Sequence, residues 1–198
     1  MKFASATALY ATNRLAVAGL FQTTLGLFLL TQIGEQVRIA GYLLGVATLT
    51  GLGLGLSTWI AMLAAPLMGG ISDRNGNRWQ VAATGLLPGM LGLAILTFGT
   101  PLALLFGIPL TAITSGSNQG LATALVGDLG NSRQQSRRLG LMFTAGDLAS
   151  AIGPLIAYAL IPWIGIISIY YLGAGLFGLI FLLMLKRSAE TKLRPVLD

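Results

Sequence analysis

Six long apolar stretches joined by short connections constrain the fold of this chain more than any other feature. They run over residues 15–34, 41–68, 80–99, 102–126, 139–161 and 163–185. Each is long enough to cross a hydrocarbon core of roughly 30 Å, which takes about 20 helical residues. A membrane β-barrel would show short alternating segments instead, and the sequence has none. The reading is therefore an all-α membrane protein: a single six-transmembrane-helix domain over 1–198, integral and multi-pass, with the plasma (inner) membrane as its expected location. The second and fourth stretches exceed the minimum, which predicts tilt or extension into the cytoplasm.

Composition agrees. Of the 198 residues, 55% are hydrophobic and 9% charged, against about a quarter charged in ordinary soluble domains. The absence of cysteine and histidine excludes a disulfide framework, thiolate metal sites and catalysis through imidazole or thiol. With no nucleophile and base or metal-ligand cluster in view, no enzyme activity, cofactor or metal is expected. The net charge of +6 does not point to nucleic acid, because the basic residues lie between apolar runs rather than in dense polar patches. Residues 1–14 lack the order of a removable signal peptide.

Eleven of the 12 basic residues fall on one side of the predicted topology. Lys2 and Arg14 precede the first stretch, Arg74 and Arg78 follow the second, Arg133, Arg137 and Arg138 follow the fourth, and Lys186, Arg187, Lys192 and Arg194 follow the sixth. Arg38, beside Glu35, stands alone on the other side. The positive-inside rule makes the crowded side, with both termini, cytoplasmic. Tyr42 and Trp163 are expected near the outer interface and Trp79 near the inner one.

Polarity is uneven. The third and sixth stretches carry little beyond Thr84, Thr97, Ser168, Tyr170 and Tyr171, so they are expected to face lipid. The first, fourth and fifth carry polar stripes at helical spacing: Gln22, Thr23 and Gly26; Thr111, Thr114, Ser115 and Asn118; Thr144, Asp147 and Ser150. These should face protein or a water-filled cavity. In the second, Gly41 with Gly45 and Gly51 with Gly55 are each four apart, on one face, for close packing or for sliding. Asp147 lies roughly 12 Å along its helix from Leu139 at about 1.5 Å per residue, deep enough that an unpaired charge is costly. It is read as a proton carrier, a ligand for a cationic solute or the partner of a distant basic residue, or else as a carboxylate in a cytoplasmic vestibule.

The connection after the second stretch reads Gly69-Gly70-Ile71-Ser72-Asp73-Arg74-Asn75-Gly76-Asn77-Arg78. Gly76 permits a tight turn, and Asp73 suits a helix N-terminus. Gly69, Asp73, Arg74, Gly76 and Arg78 resemble the signature loop of the major facilitator superfamily, with Asn77 where a basic residue is usual. The resemblance implies that Asp73 helps to lock two halves together on the cytoplasmic side; the plainer reading is a short basic turn. Asp128, at the end of the fourth helix, would join that network through Arg74 or Arg78, or stay solvated. Gly140, Gly153 and Pro154 resemble part of the antiporter-type motif, with Ala149, Ala157 and Tyr158 replacing glycines. Pro154 should kink the helix, as a rocking element or a static bend. Gln119-Gly120 resembles the end of a third motif, but Gly116 stands where its arginine belongs, so proton coupling through that arginine is not implied.

That family has twelve helices in two halves, and this chain corresponds to one, more like the C-terminal half. The resemblance implies alternating access to a small organic solute, drug or other, by secondary transport, with Gln22, Asn118, Gln119 and Asp147 facing the solute or proton path. Polar stripes left toward lipid are unfavourable, so a second six-helix half or a second copy is the expected partner, with lipid around both. A non-transporting scaffold subunit, or an inactive fragment that kept the fold, is the alternative.

Overall fold

In the computed structural model, residues 2–39, 42–129 and 132–192 are described. Gly41 and Arg194 lie outside them, as do the side chains of Arg38, Tyr42, Arg133 and Lys192. The described residues are all-α apart from one hairpin. Its elements are α1 (Lys2–Ile33), β1 (Gln36–Ile39), β2 (Tyr42–Gly45), α2 (Val46–Asn75), α3 (Arg78–Leu96), α4 (Pro101–Gly127) and α5 (Ser132–Lys192). Four described helices are long and apolar enough to cross a membrane: α1, α2, α3 and Gln134–Thr191 of α5.

The first helix begins at Lys2, well ahead of the apolar stretch. Ser5, Ala6, Leu9, Tyr10 and Asn13 are buried and form one helical face. The segment is too polar to register as a span, yet its alanines and packed face make it helical. Arg14, expected to flank this helix, is inside it. It opens a π-helical run, Arg14–Phe21, in which the Gln22 N–H reaches Val17 O. Hydroxyls bond carbonyls along this stretch: Thr23 Oγ1 donates to Gly19 O at 2.5 Å and Thr24 Oγ1 to Leu20 O at 2.7 Å.

Gly34, at φ 88°, stops the helix. Residues 42–45, expected to begin the second helix, pair instead with 36–39 in an antiparallel register, Gln36 opposite Gly45 and Ile39 opposite Tyr42. The pairing satisfies backbone groups of a connection too short for another helix. Further on, α2 ends at Gly76, left-handed at φ 66°. Pro88 lacks the N–H that Thr84 O would receive, and α3 is interrupted at Gly85 and Leu86. At the start of α4, Thr100 Oγ1 accepts from Ala103 N at 3.1 Å and Pro101 takes the first helical position.

The break in α5 is at Gly165 (φ 77°), and the backbone stays helical through Pro154. Proline removes one N–H, whereas a positive φ redirects the whole chain and is open chiefly to glycine. The second arm of α5 therefore turns back along the bundle. There Tyr170, 2% exposed, meets Phe28 at a centroid distance of 4.7 Å and Phe21 edge-on at 6.2 Å.

One expectation about faces is reversed, and one of the two readings of the second helix's glycines, close packing at Gly51 and Gly55, is not met. In the apolar window of α3, 56% is buried, against 11% for α2; the helix expected to face lipid is packed, and the glycine-rich one is the more exposed. A Cβ on Gly51 or Gly55 would meet nothing within 4 Å. The glycines of close approach are elsewhere: Gly92 of α3 lies against Thr111 and Gly107 of α4, Gly116 of α4 against Ala61 of α2, and Gly153 of α5 against Gly19 of α1. Lipid tails are as apolar as leucine, so apolarity does not choose between lipid and protein; small residues that admit a neighbouring backbone do.

Candidate functional site

The turn between α2 and α3 is held by a charge network. Arg78 places Nη2 2.9 Å from Asp73 Oδ1 and Nε 2.9 Å from Asp128 Oδ2, so one guanidinium joins the end of α2, the start of α3 and the end of α4. Arg74 forms no ion pair among the described residues. Asp73 sits in the last turn of α2 and does not cap a helix; that role falls to Asn77, whose Oδ1 accepts from Gln80 N at 3.2 Å. Asn77 Nδ2 also donates to Ser188 Oγ at 3.0 Å, which ties the turn to the second arm of α5. Replacing Asn77 by alanine is expected to cost about 1 kcal/mol for the cap and somewhat more for the lost tie. Asn77→Ser keeps a cap acceptor but is too short to reach Ser188, so it should lose only the second part, read as thermal unfolding in detergent.

Next to this network a recess of about 210 Å³ is lined by Lys2, Arg78, Trp79, Asp128 and Thr191, among others. The beginning of α1 and the end of α5 thus lie at the same end of the bundle as the turn. Ser5 Oγ accepts from Arg187 Nε at 2.9 Å, and Arg187 pairs with Glu190 at 2.6 Å. Arg138 Nη1 donates to the Leu129 carbonyl, anchoring the entry to α5 on the end of α4. Trp79 lines this recess at the same end of the bundle, with its side chain buried against protein.

A second constellation runs along the seam between α1 and the first arm of α5. Tyr10 covers Gly146, Arg14 Nη2 lies 3.5 Å from Asp147 Oδ1, Gly19 backs onto Gly153, and Tyr158 OH donates to Thr23 O at 2.9 Å. The contact between Arg14 and Asp147 is one of the arrangements that the sequence left open for this carboxylate. Tyr158, in place of a motif glycine, fastens the far end of the seam. Gln22 and Gln119 line a small polar crevice with Arg14, Asn13 and Ser115. Asn118 is not part of it: fully buried, it points toward Gly85 within the packed α3–α4 contact. Thr111 and Thr114 serve that contact too, and Thr114 Oγ1 donates to Gly85 O at 2.8 Å. The polar stripe of α4 therefore faces protein. Gly140 and Gly69 contact nothing that a Cβ would meet.

Sequence reasoning did not single out Asn13 or Arg14 as site residues, and took Ser115 only as part of the fourth helix's polar stripe. The available signal was Arg14 itself, whose alanine-rich upstream neighbours extend the helix beyond it.

Over residues 5–196 the sequence matches the Major Facilitator Superfamily. The chain belongs to the major facilitator superfamily. It is 28% identical over 154 residues to the tetracycline resistance protein, class C, of Escherichia coli, a match covering 76% of this chain and 38% of that protein. Among solved structures it resembles the POT family transporter PepTSo (TM-score 0.71, 17% identity, 92% of this chain and 36% of that one). It also resembles an auto-inhibited POT family peptide transporter (0.74, 16%, 94% and 37%) and a POT family transporter in complex with 5-aminolevulinic acid (0.73, 15%, 94% and 38%). At these identities the likeness is one of fold. The chain spans less than two-fifths of the length of each of these proteins. As a member of this superfamily, with apolar helices of spanning length, it is an integral membrane protein.

In this superfamily member the glycine at 116 acquires a reason. Where the family's third motif carries arginine, a side chain here would enter the backbone of Ala61, with its Cβ 2.7 Å from Ala61 Cα.

Proposed function

We propose that this chain is one half of a secondary transporter that moves a small organic solute across the plasma (inner) membrane by alternating access. It crosses the membrane six times, with α4 and both arms of α5 each counted as a crossing and both termini in the cytoplasm. The observation that carries the reading is Arg78, held by Asp73 and Asp128 at 2.9 Å each, a latch of charge-assisted bonds at the end of the bundle where α1 starts and α5 finishes. Such a latch stabilises one arrangement of the bundle and is released by modest work, as a rocking cycle requires. Asp147, 70% exposed, and Thr23 face away from the packed core, and a partnering half or second copy gives them a polar neighbourhood.

Topology is directly testable because the chain has no cysteine. Ser136→Cys should react with a membrane-impermeant maleimide only from the cytoplasmic side, and Gln36→Cys only from outside; labelling of both from one side overturns the six-crossing arrangement. Transport is tested in vesicles with tetracycline as the first solute, a choice that rests on the name of the Escherichia coli relative. Gradient-driven flux abolished by Asp73→Asn is the expected result. No flux for any solute in a broad panel, alone or with a co-expressed second half, rejects the reading.

A further inference from the structure

Two arginines, Arg78 and Arg14, differ in a way that points to a ligand. In a guanidinium, Nε–H and Nη2–H point the same way and together grip a carboxylate. Arg78 has this edge filled, with a carboxylate oxygen 2.9 Å from each nitrogen. Arg14 has it half filled: Nη2 lies 3.5 Å from Asp147, while Nε is buried without a partner among the described residues.

Arg14 opens a crevice of about 30 Å³ shared with Asn13, Gln22, Ser115 and Gln119. Asn13 is fully buried. Its Nδ2 is committed to the Ser115 carbonyl at 3.1 Å, and its Oδ1 is the second unpartnered buried atom in this crevice. A buried donor and acceptor left unpaired each cost about 1–3 kcal/mol, so the crevice favours a group that accepts at Arg14 and donates at Asn13. A space of this volume takes about one or two waters, so only the carboxylate and its adjacent donor would enter it, in place of water, and the rest of a solute lies outside.

Resting on the transporter reading, we infer that the Nε/Nη2 edge of Arg14 is a carboxylate-binding subsite for the solute. Asp147 is its displaceable occupant, and Asn13 Oδ1 accepts from a hydroxyl or N–H adjacent to the solute's carboxylate. The long single contact to Asp147, whose side chain is 70% exposed, is the arrangement expected of a placeholder. The solute class is thus a monocarboxylate bearing a neighbouring hydrogen-bond donor.

The test uses purified chain in detergent, titrated with sodium glycolate, sodium acetate and sodium chloride while its thermal unfolding midpoint is followed. Asp147→Asn keeps the side-chain shape and removes the competing charge, so it should tighten glycolate binding about tenfold, with glycolate ahead of acetate and chloride without effect. Arg14→Gln combined with Asp147→Asn should abolish the response. Arg14→Lys with Asp147→Asn, which keeps a cation in the bundle but lacks the planar edge, should lose the preference for glycolate and guards against misfolding of the first combination. Glycolate acting no better than chloride on Asp147→Asn, or equally on the Arg14 variants, overturns the inference. So does preferential stabilisation of the wild type by ethylammonium, which would make Asp147 a cation site. Because binding is read without flux, this inference and the transport reading fail separately.

Discussion

Replacing Gly116 by valine is expected to destabilise the bundle by at least about 3 kcal/mol, or to prevent its assembly. The magnitude follows from what the new atoms would meet. Overpacking in a protein interior typically costs about 1–3 kcal/mol when neighbouring side chains can give way. Here the obstacle is the backbone of Ala61, with Cα and carbonyl carbon both 2.7 Å from a Cβ at 116, and no rotamer relieves it. Gly120, one turn on, provides the control: its Cβ would sit 3.6–3.9 Å from Ala65, ordinary contact, and Gly120→Ala should be neutral or stabilising by up to about 1 kcal/mol. Fluorescence-detected size exclusion and thermal unfolding in detergent read both variants. A well-folded Gly116→Val with an unchanged midpoint would show that α2 and α4 do not touch there.

Arg78→Gln should lower flux by about tenfold or more, equivalent to about 1.4 kcal/mol, while costing about 1–2 kcal/mol of stability. Single exposed pairs contribute about 0–1 kcal/mol each. Arg78, though, serves two carboxylates at 2.9 Å, and its removal leaves Asp73 and Asp128 close to one another with no cation between them. Arg78→Lys keeps the charge but is a point donor that cannot align with both oxygens, so an intermediate flux is expected. Arg74→Gln should leave flux near wild type, because Arg74 joins no ion pair among the described residues. Equal loss from the two glutamine variants would mean that the turn needs net positive charge and no latch.

Much of the helical framework could be read from residue type. Gly76, Thr100 and Pro101 act locally, through a positive φ, a side-chain cap and a missing N–H, and local causes are visible in sequence. The start of α1 was hidden because hydropathy reports solvent preference, and Lys2–Asn13 is helical without being strongly apolar. The hairpin at 36–45 was hidden because a short connection satisfies its backbone in several ways, and pairing is settled by where α1 and α2 leave their ends.

The candidate site divided in the same manner. The 69–78 loop was recognisable from its residues, since a short motif keeps its members adjacent in the chain. The choice of Arg78 over Arg74 as the shared cation depended on the direction in which α3 leaves the turn. The Arg14–Asp147 pair joins residues 133 positions apart, and no spacing rule reaches that far.

The amino-acid sequence by itself determined an integral, helical membrane protein of the major facilitator type, because apolar length and turn chemistry are properties of contiguous residues. Only the tertiary structure decided which helix faces are covered, which glycines admit a neighbouring backbone and which arginine keeps an unfilled edge. In a bundle packed by shape within lipid, those properties depend on which helices meet, and hydrophobicity does not encode that.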